Sequence, residues 1–203
     1  MEKNALTEAI VDLELEMFLQ VNAREKASCQ DHPDRFRAFR AANFCAWSPE
    51  MLASYHHDLI VARGNNRNLL TLKYARMENI IPPLATSSLP EAIVAIEMKW
   101  IHELAKQYPF IHSKGRPLDQ DGTNVTSIRT YLRSELETFS EKTLELYHHN
   151  VVNSLERGEN LAEARLLQVI RNSGFNSLAE AEAYLAAQHC RTQHKPVSQP
   201  LHG

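Results

Sequence analysis

Apolar residues recur three and four positions apart almost throughout this chain, and the alternation that a half-buried strand needs is nearly absent. Residues 8–18, EAIVDLELEMF, and residues 91–101, EAIVAIEMKWI, each put an apolar stripe along one side of a 3.6-residue helix. Only six of 203 residues are glycine, and Ala, Leu, Glu, Arg and Lys fill the long stretches. Those residues lose little freedom in a helix, so period and composition agree on an all-α protein. With 43% apolar residues the chain can bury a core large enough to fold unaided.

The helices come in two similar sets. Residues 54–69 read SYHHDLIVARGNNRNL and residues 146–161 read LYHHNVVNSLERGENL. Aligned without a gap at an offset of 92, residues 36–77 and 128–169 share eight identities: Arg37/Arg129, Ser48/Ser140, Leu52/Leu144, Tyr55/Tyr147, His56/His148, His57/His149, Asn68/Asn160 and Leu69/Leu161. The two EAIV helices match at an offset of 83 and fall in the same order. The expectation is a helical bundle made by internal duplication of a four-helix unit, with repeats at about 7–80 and 90–172. Thr7 and Ser88 are expected to cap the first helix of each unit, Ser48 and Ser140 the third, and Asn68 and Asn160 the fourth. A C-terminal helix near 177–189 follows Ser177. Residues 1–190 then form one compact domain, joined across PPLATSSLP, and residues 191–203 form a disordered tail.

Charge narrows the partners. A net charge of -3, from 22 basic and 25 acidic residues, gives no electrostatic case for nucleic acid or an anionic membrane. The start, MEKNALTEAI, reads as neither a secretory signal nor a spanning segment, so a soluble, cytoplasmic protein is expected. Three cysteines without CxxC spacing fit reduced thiols.

Polar residues on the apolar stripes carry the chemistry. Stepping by four and three residues gives Ile10, Glu14, Met17 and Val21 in one unit, and Ile93, Glu97, Trp100 and Leu104 in the other. The second helices add Arg40, Asn43 and Glu135, and the third helices add His56 and His148. A buried carboxylate needs a partner or takes up a proton. One expectation is therefore a buried hydrogen-bonded network of Glu14, Glu97, Glu135, Arg40, Tyr55 and Tyr147. The alternative is a metal-dependent enzyme with Glu14, Glu97, Glu145, His56 and His148 as ligands, because carboxylates joined to Glu-x-x-His build di-metal sites in bundles. Glu145-Leu146-Tyr147-His148 has that spacing, but Ala53 stands where the other unit needs the glutamate. His57-Asp58, with His32 and Asp119 or Asp121, offers a phosphohydrolase-like His-Asp pattern.

The units differ most in their loops, ASCQDHPD at 27–34 against YPFIHSKGRPLDQDGTNVTS at 108–127. Helices kept alike under divergent loops suggest that function sits on the loops. Cys29, Gln30 and Asp31 place a thiol, an amide and a carboxylate in succession. Arg116 offers a fork for carboxylate or phosphate, and Asn68 opens a helix that carries Lys73 and Arg76. The leading functional reading is a polar small-ligand pocket, for a small anion, lined by Cys29, Gln30, Asp31, Asn68, Lys73 and Arg116. A protein-interaction face on one helix is a further alternative. No cofactor or oligomeric state follows from the sequence.

SCQD at 28–31, GNNRNLLTLKYARM at 64–77, EAIVAIEMKWI at 91–101, YP with GRP at 108–117 and TYLRSELETFSEKTLELY at 130–147 resemble a bacterial family of unknown function, DUF4125. The resemblance covers most of the chain to about residue 170. It implies that Tyr55 and Tyr147, rather than the histidines after them, belong to the shared pattern, and it implies no activity.

Overall fold

A computed structural model describes residues 2–21, 31–123 and 125–193. Among the described residues there are ten helices and no strand: α1 (Lys3–Leu19), α2 (Pro33–Phe44), α3 (Pro49–Gly64), α4 (Leu69–Met77), α5 (Leu89–Gln107), α6 (Pro109–His112), α7 (Ile128–Leu136), α8 (Glu141–Glu156), α9 (Leu161–Asn172) and α10 (Leu178–Gln193). Side-chain caps start six of them, Ser177 before α10 accepting from the Glu180 amide. Ser48, Ser127 and Ser140 accept from Met51, Thr130 and Thr143 amides, and Asn68 and Asn160 accept from those of Thr71 and Glu163. Thr7 does not cap α1. It lies one turn inside, where its hydroxyl donates to the Lys3 carbonyl at 3.0 Å. Ser88 holds the first position before α5 without a side-chain cap bond, and Pro90 sets the opening turn there. The one-turn α6 escapes sequence reasoning because four residues are too few to show a period.

In each half the first helix is central. α1 packs against α2, α3 and α4, and α5 packs against α7, α8 and α9. Across the halves, α3 meets α8, α2 meets α9 and α4 meets α7. One apolar cluster runs through all of these helices. At its centre the rings of Trp47 and Tyr55 meet those of Phe139 and Tyr147, with centroids 4.6–6.0 Å apart. Positions 83 or 92 residues apart are buried alike: Ile10 and Ile93, Glu14 and Glu97, Leu52 and Leu144, Tyr55 and Tyr147. Asn66 (φ 53) and Gly158 (φ 69), also 92 apart, both turn left-handed just after α3 and α8.

A satellite cluster of Ile111, Ile170, Leu178 and Ala181 docks α10, which runs to Gln193, onto α6 and α9. The Glu182 carboxylate accepts the Phe110 and Ile111 amides at 2.8 Å each, fixing the entry to the long segment that carries Arg116. No helix among the described residues is long and apolar enough to cross a membrane.

Candidate functional site

Two buried ionic clusters form around Glu14 and Glu97, which stand 83 residues apart, and they differ in content. The simpler one is held by α5, α8 and α9. Glu97, 0% exposed, takes both ends of the Arg165 guanidinium and accepts the Tyr147 hydroxyl at 3.0 Å. Burial would lower the Arg165 pKa, but the Glu97 charge outweighs it and holds it raised. Burial, reinforced by Glu97, pushes the Tyr147 phenol well up. This is a closed, satisfied triad.

The second cluster is larger. Glu14 on α1, 0% exposed, accepts Arg40 Nε at 2.7 Å, Arg40 Nη2 at 2.6 Å and the Tyr55 hydroxyl at 2.8 Å. Arg40 then reaches onward from α2, with Nη1 2.9 Å from Glu135 Oε1 on α7. The same Glu135 oxygen accepts Lys73 Nζ of α4 at 2.8 Å. Lys73 Nζ also lies 3.5 Å from the centre of the Tyr131 ring, and the Arg116 guanidinium carbon lies 5.4 Å from that same centre. Charges thus alternate from Glu14 through Arg40 and Glu135 to Lys73, and the chain ends at an aromatic ring that a second cation shares.

The electrostatics follow from this order. Burial lowers the Lys73 pKa; Glu135 opposes the shift and Arg40 adds to it, and the outcome is a depressed amine. Glu135 shows the reverse balance, since burial works against its charge while Arg40 and Lys73 together hold it below the usual carboxylate range. Burial and then Glu135 raise the Tyr131 phenol, so it stays protonated, and its oxygen accepts from Arg40 Nη1 at 3.5 Å. Lys73 is 2% exposed and the Glu135 side chain 14%, so Glu135 is the less enclosed of the two.

Arg116 is fixed by its own loop. Its Nη1 donates to the Thr126 carbonyl at 3.0 Å and to the Thr126 hydroxyl. The loop closes through Ile128 N to Pro117 O, Arg129 N to Leu118 O and Ser127 N to Asp121 Oδ1. No carboxylate among the described residues lies within ion-pair distance of Arg116, although Asp121 is near enough for Arg116 to help hold its carboxyl low, after the Ser127 amide bond.

Of the candidate ligand residues, Lys73 and Arg116 are brought to one ring. Cys29 and Gln30 lie outside the described residues, and Asp31 is exposed just before α2. Asn68 is used at both ends, with Oδ1 capping α4 and Nδ2 donating to the Met17 carbonyl at 2.7 Å. Arg76 forks onto Glu137. Asn43 is half-buried.

The inward placement expected for His56 and His148 is corrected. Both are half-buried, and the tyrosine one residue earlier is the buried side chain, Tyr55 at 2% and Tyr147 at 6%. The inner face of α3 steps Leu52, Tyr55, Leu59, Ala62, a rotation of one residue from the stripe through His56 and Arg63. Glu145 is exposed, and Glu14 and Glu97 are taken by different arginines. Among the described residues no three His, Cys, Asp or Glu side chains are grouped so as to hold a metal. In the His-Asp pattern, Asp58 accepts the Ser140 amide and the Thr143 hydroxyl, Asp119 pairs with His102 and Arg129, and His32 precedes α2. Of the exposed large apolar residues among those described, Leu19, Phe39 and Tyr184 lie on α1, α2 and α10, Ile60 and Val61 adjoin on α3, and Ile80 and Val125 lie between helices.

Arg165 and Tyr131 were missed by sequence reasoning. Arg165 stands 92 residues after Lys73, so the repeat alignment pairs it with a cation already singled out; Tyr131 gives no such signal.

The fold and its ionic clusters define an all-α protein with a charged centre between α4 and α7. The chain belongs to the family described as protein of unknown function DUF4125, whose profile matches residues 4–183. No curated protein and no solved structure matches it.

Proposed function

We propose that the protein binds a small anionic molecule against Tyr131, between Lys73 and Arg116. The observation that carries the reading is that these two cations, 43 residues apart and on separate elements, meet on one ring. Among the described residues Arg116 spends one nitrogen on Thr126, which leaves the rest of its fork for an anion. The Tyr131 hydroxyl lies toward Arg40, whose Nη1 is 3.5 Å from it, so the ring links the anion site to the buried cluster. The net charge of -3 argues against nucleic acid as the partner, and the odd cysteine count favours a reducing, cytoplasmic setting.

The same reading includes the origin of the site. The two halves are copies of one four-helix unit within a single domain, and the site is where the copies diverged. In support, Lys73 and Arg165 correspond, but Leu132 stands opposite Arg40 and Asn43 opposite Glu135. The closed triad draws all its members from residues 90–172, whereas the second cluster joins Glu14, Arg40, Tyr55 and Lys73 of residues 7–80 to Glu135 and Tyr131 of the other half, so that Lys73 faces a ring supplied across the halves.

Melting temperatures in acetate, pyruvate and phosphate series test the binding. An anion at one hundred times its Kd adds about 2.7 kcal/mol of stability, or roughly 5–11 °C for a chain of this size. The shift should shrink strongly in Arg116→Gln. No shift in the wild type with any anion, or an equal shift in the variant, refutes the reading.

A further inference from the structure

Resting on that anion-binding reading, we propose that Lys73 is a nucleophilic amine that forms an imine with a small 2-oxo acid, whose carboxylate Arg116 holds. Three features of the site point to this chemistry. An amine attacks a carbonyl only as the free base, and a second cation nearby together with burial favours that form. Arg40 is that cation, bound to the very Glu135 oxygen that accepts from Lys73. The proton also has somewhere to go, since Glu135 Oε1 is 2.8 Å from Nζ.

The comparison between clusters supplies the third feature. At the position corresponding to Lys73 the other half uses Arg165, which forks onto a buried carboxylate and cannot give up its proton. An arginine serves a purely structural buried pair better than a lysine does. At position 73 the chain instead carries a point charge that titrates, placed over a ring rather than in a fork.

The step balances without any oxidant. The Lys73 ammonium passes one proton to Glu135, and the Nζ lone pair attacks the carbonyl carbon while the C=O π pair moves to oxygen. Glu135 returns its proton to that oxygen to give a carbinolamine. Loss of the second nitrogen proton to Glu135 and protonation of the hydroxyl release one water and leave the imine. Glu135 is the more exposed member of the pair, at 14% against 2% for Lys73.

The test is reductive trapping on the full chain: pyruvate with sodium borohydride, followed by proteolysis and mass mapping. The expected result is a reduced adduct on Lys73, absent in Lys73→Arg and about tenfold or more weaker in Arg116→Gln. Acetone, which has the carbonyl but no charge, should trap far less at this residue. Wild-type mapping decides the matter even if Lys73→Arg fails to fold. If pyruvate raises the melting temperature but no adduct forms on Lys73, or adducts spread evenly over surface lysines, the imine is overturned and the anion site stands. If pyruvate neither shifts melting nor traps, both fall.

Discussion

Replacing Arg165 with Met would strip Glu97 of its cation while leaving it fully enclosed. In the wild type Glu97 is 0% exposed and is matched by the Arg165 fork and the Tyr147 hydroxyl. A phenol alone does not compensate a buried carboxylate, so the expected cost is about 3–5 kcal/mol, the usual penalty for orphaning one member of a buried pair. At roughly 2–4 °C per kcal/mol for a chain of this length, the melting temperature should fall by about 6–20 °C. The double variant Arg165→Met with Glu97→Met removes both charges and keeps comparable volume. It should recover most of that loss, since apolar replacement of a whole buried pair is often neutral or stabilising by about 1–4 kcal/mol. Guanidinium unfolding followed by far-UV circular dichroism measures all three proteins. A single variant within about 1 kcal/mol of the wild type, or a double variant at least as unstable as the single, would refute the claim that Glu97 depends on Arg165.

Three further outcomes follow from the same geometry. The Glu135 carboxyl is held low in the fold, so the unfolded chain protonates it first as the pH drops; stability present above about pH 4.3 is lost toward the folded value, and Glu135→Gln should flatten that acid limb in urea titrations. Tyr55, Tyr131 and Tyr147 keep their protons in the fold while unfolded phenols lose theirs near pH 10, so stability should fall as pH rises past about 10, and ultraviolet titration should show these three ionising only on unfolding. Gly158 has φ +69 with open space around its Cβ direction, so Gly158→Ala should cost about 1–2 kcal/mol from backbone conformation alone, read by thermal melting.

Much of the helical layout is legible in the chain, because caps and stripes are local. Ser48, Ser140, Asn68 and Asn160 cap where their side chains and the following apolar period say they should. Glu14 and Glu97 face inward because Ile10 and Ile93 fix the phase of their helices. The phase of α3 and α8 was harder. Leu52 and Leu59 belong to both candidate stripes, and Tyr55 and His56 are neighbours of similar polarity, so steps of three and of four could not be told apart. Pairings between elements were mostly out of reach, since nothing in the period of α5 says that its glutamate meets Arg165 of α9 rather than Arg40 of α2. Thr7 misled for a different reason: threonine caps helices, but it also bonds back one turn from inside them.

Isothermal titration of pyruvate into the wild type and into Arg116→Gln tests the central claim most directly. The account expects saturable one-site binding to the wild type and affinity about tenfold or more weaker in the variant, the loss of a forked carboxylate contact. Equal affinity in the two proteins, or no binding heat in the wild type at any concentration, would contradict a site built on Tyr131 between Lys73 and Arg116.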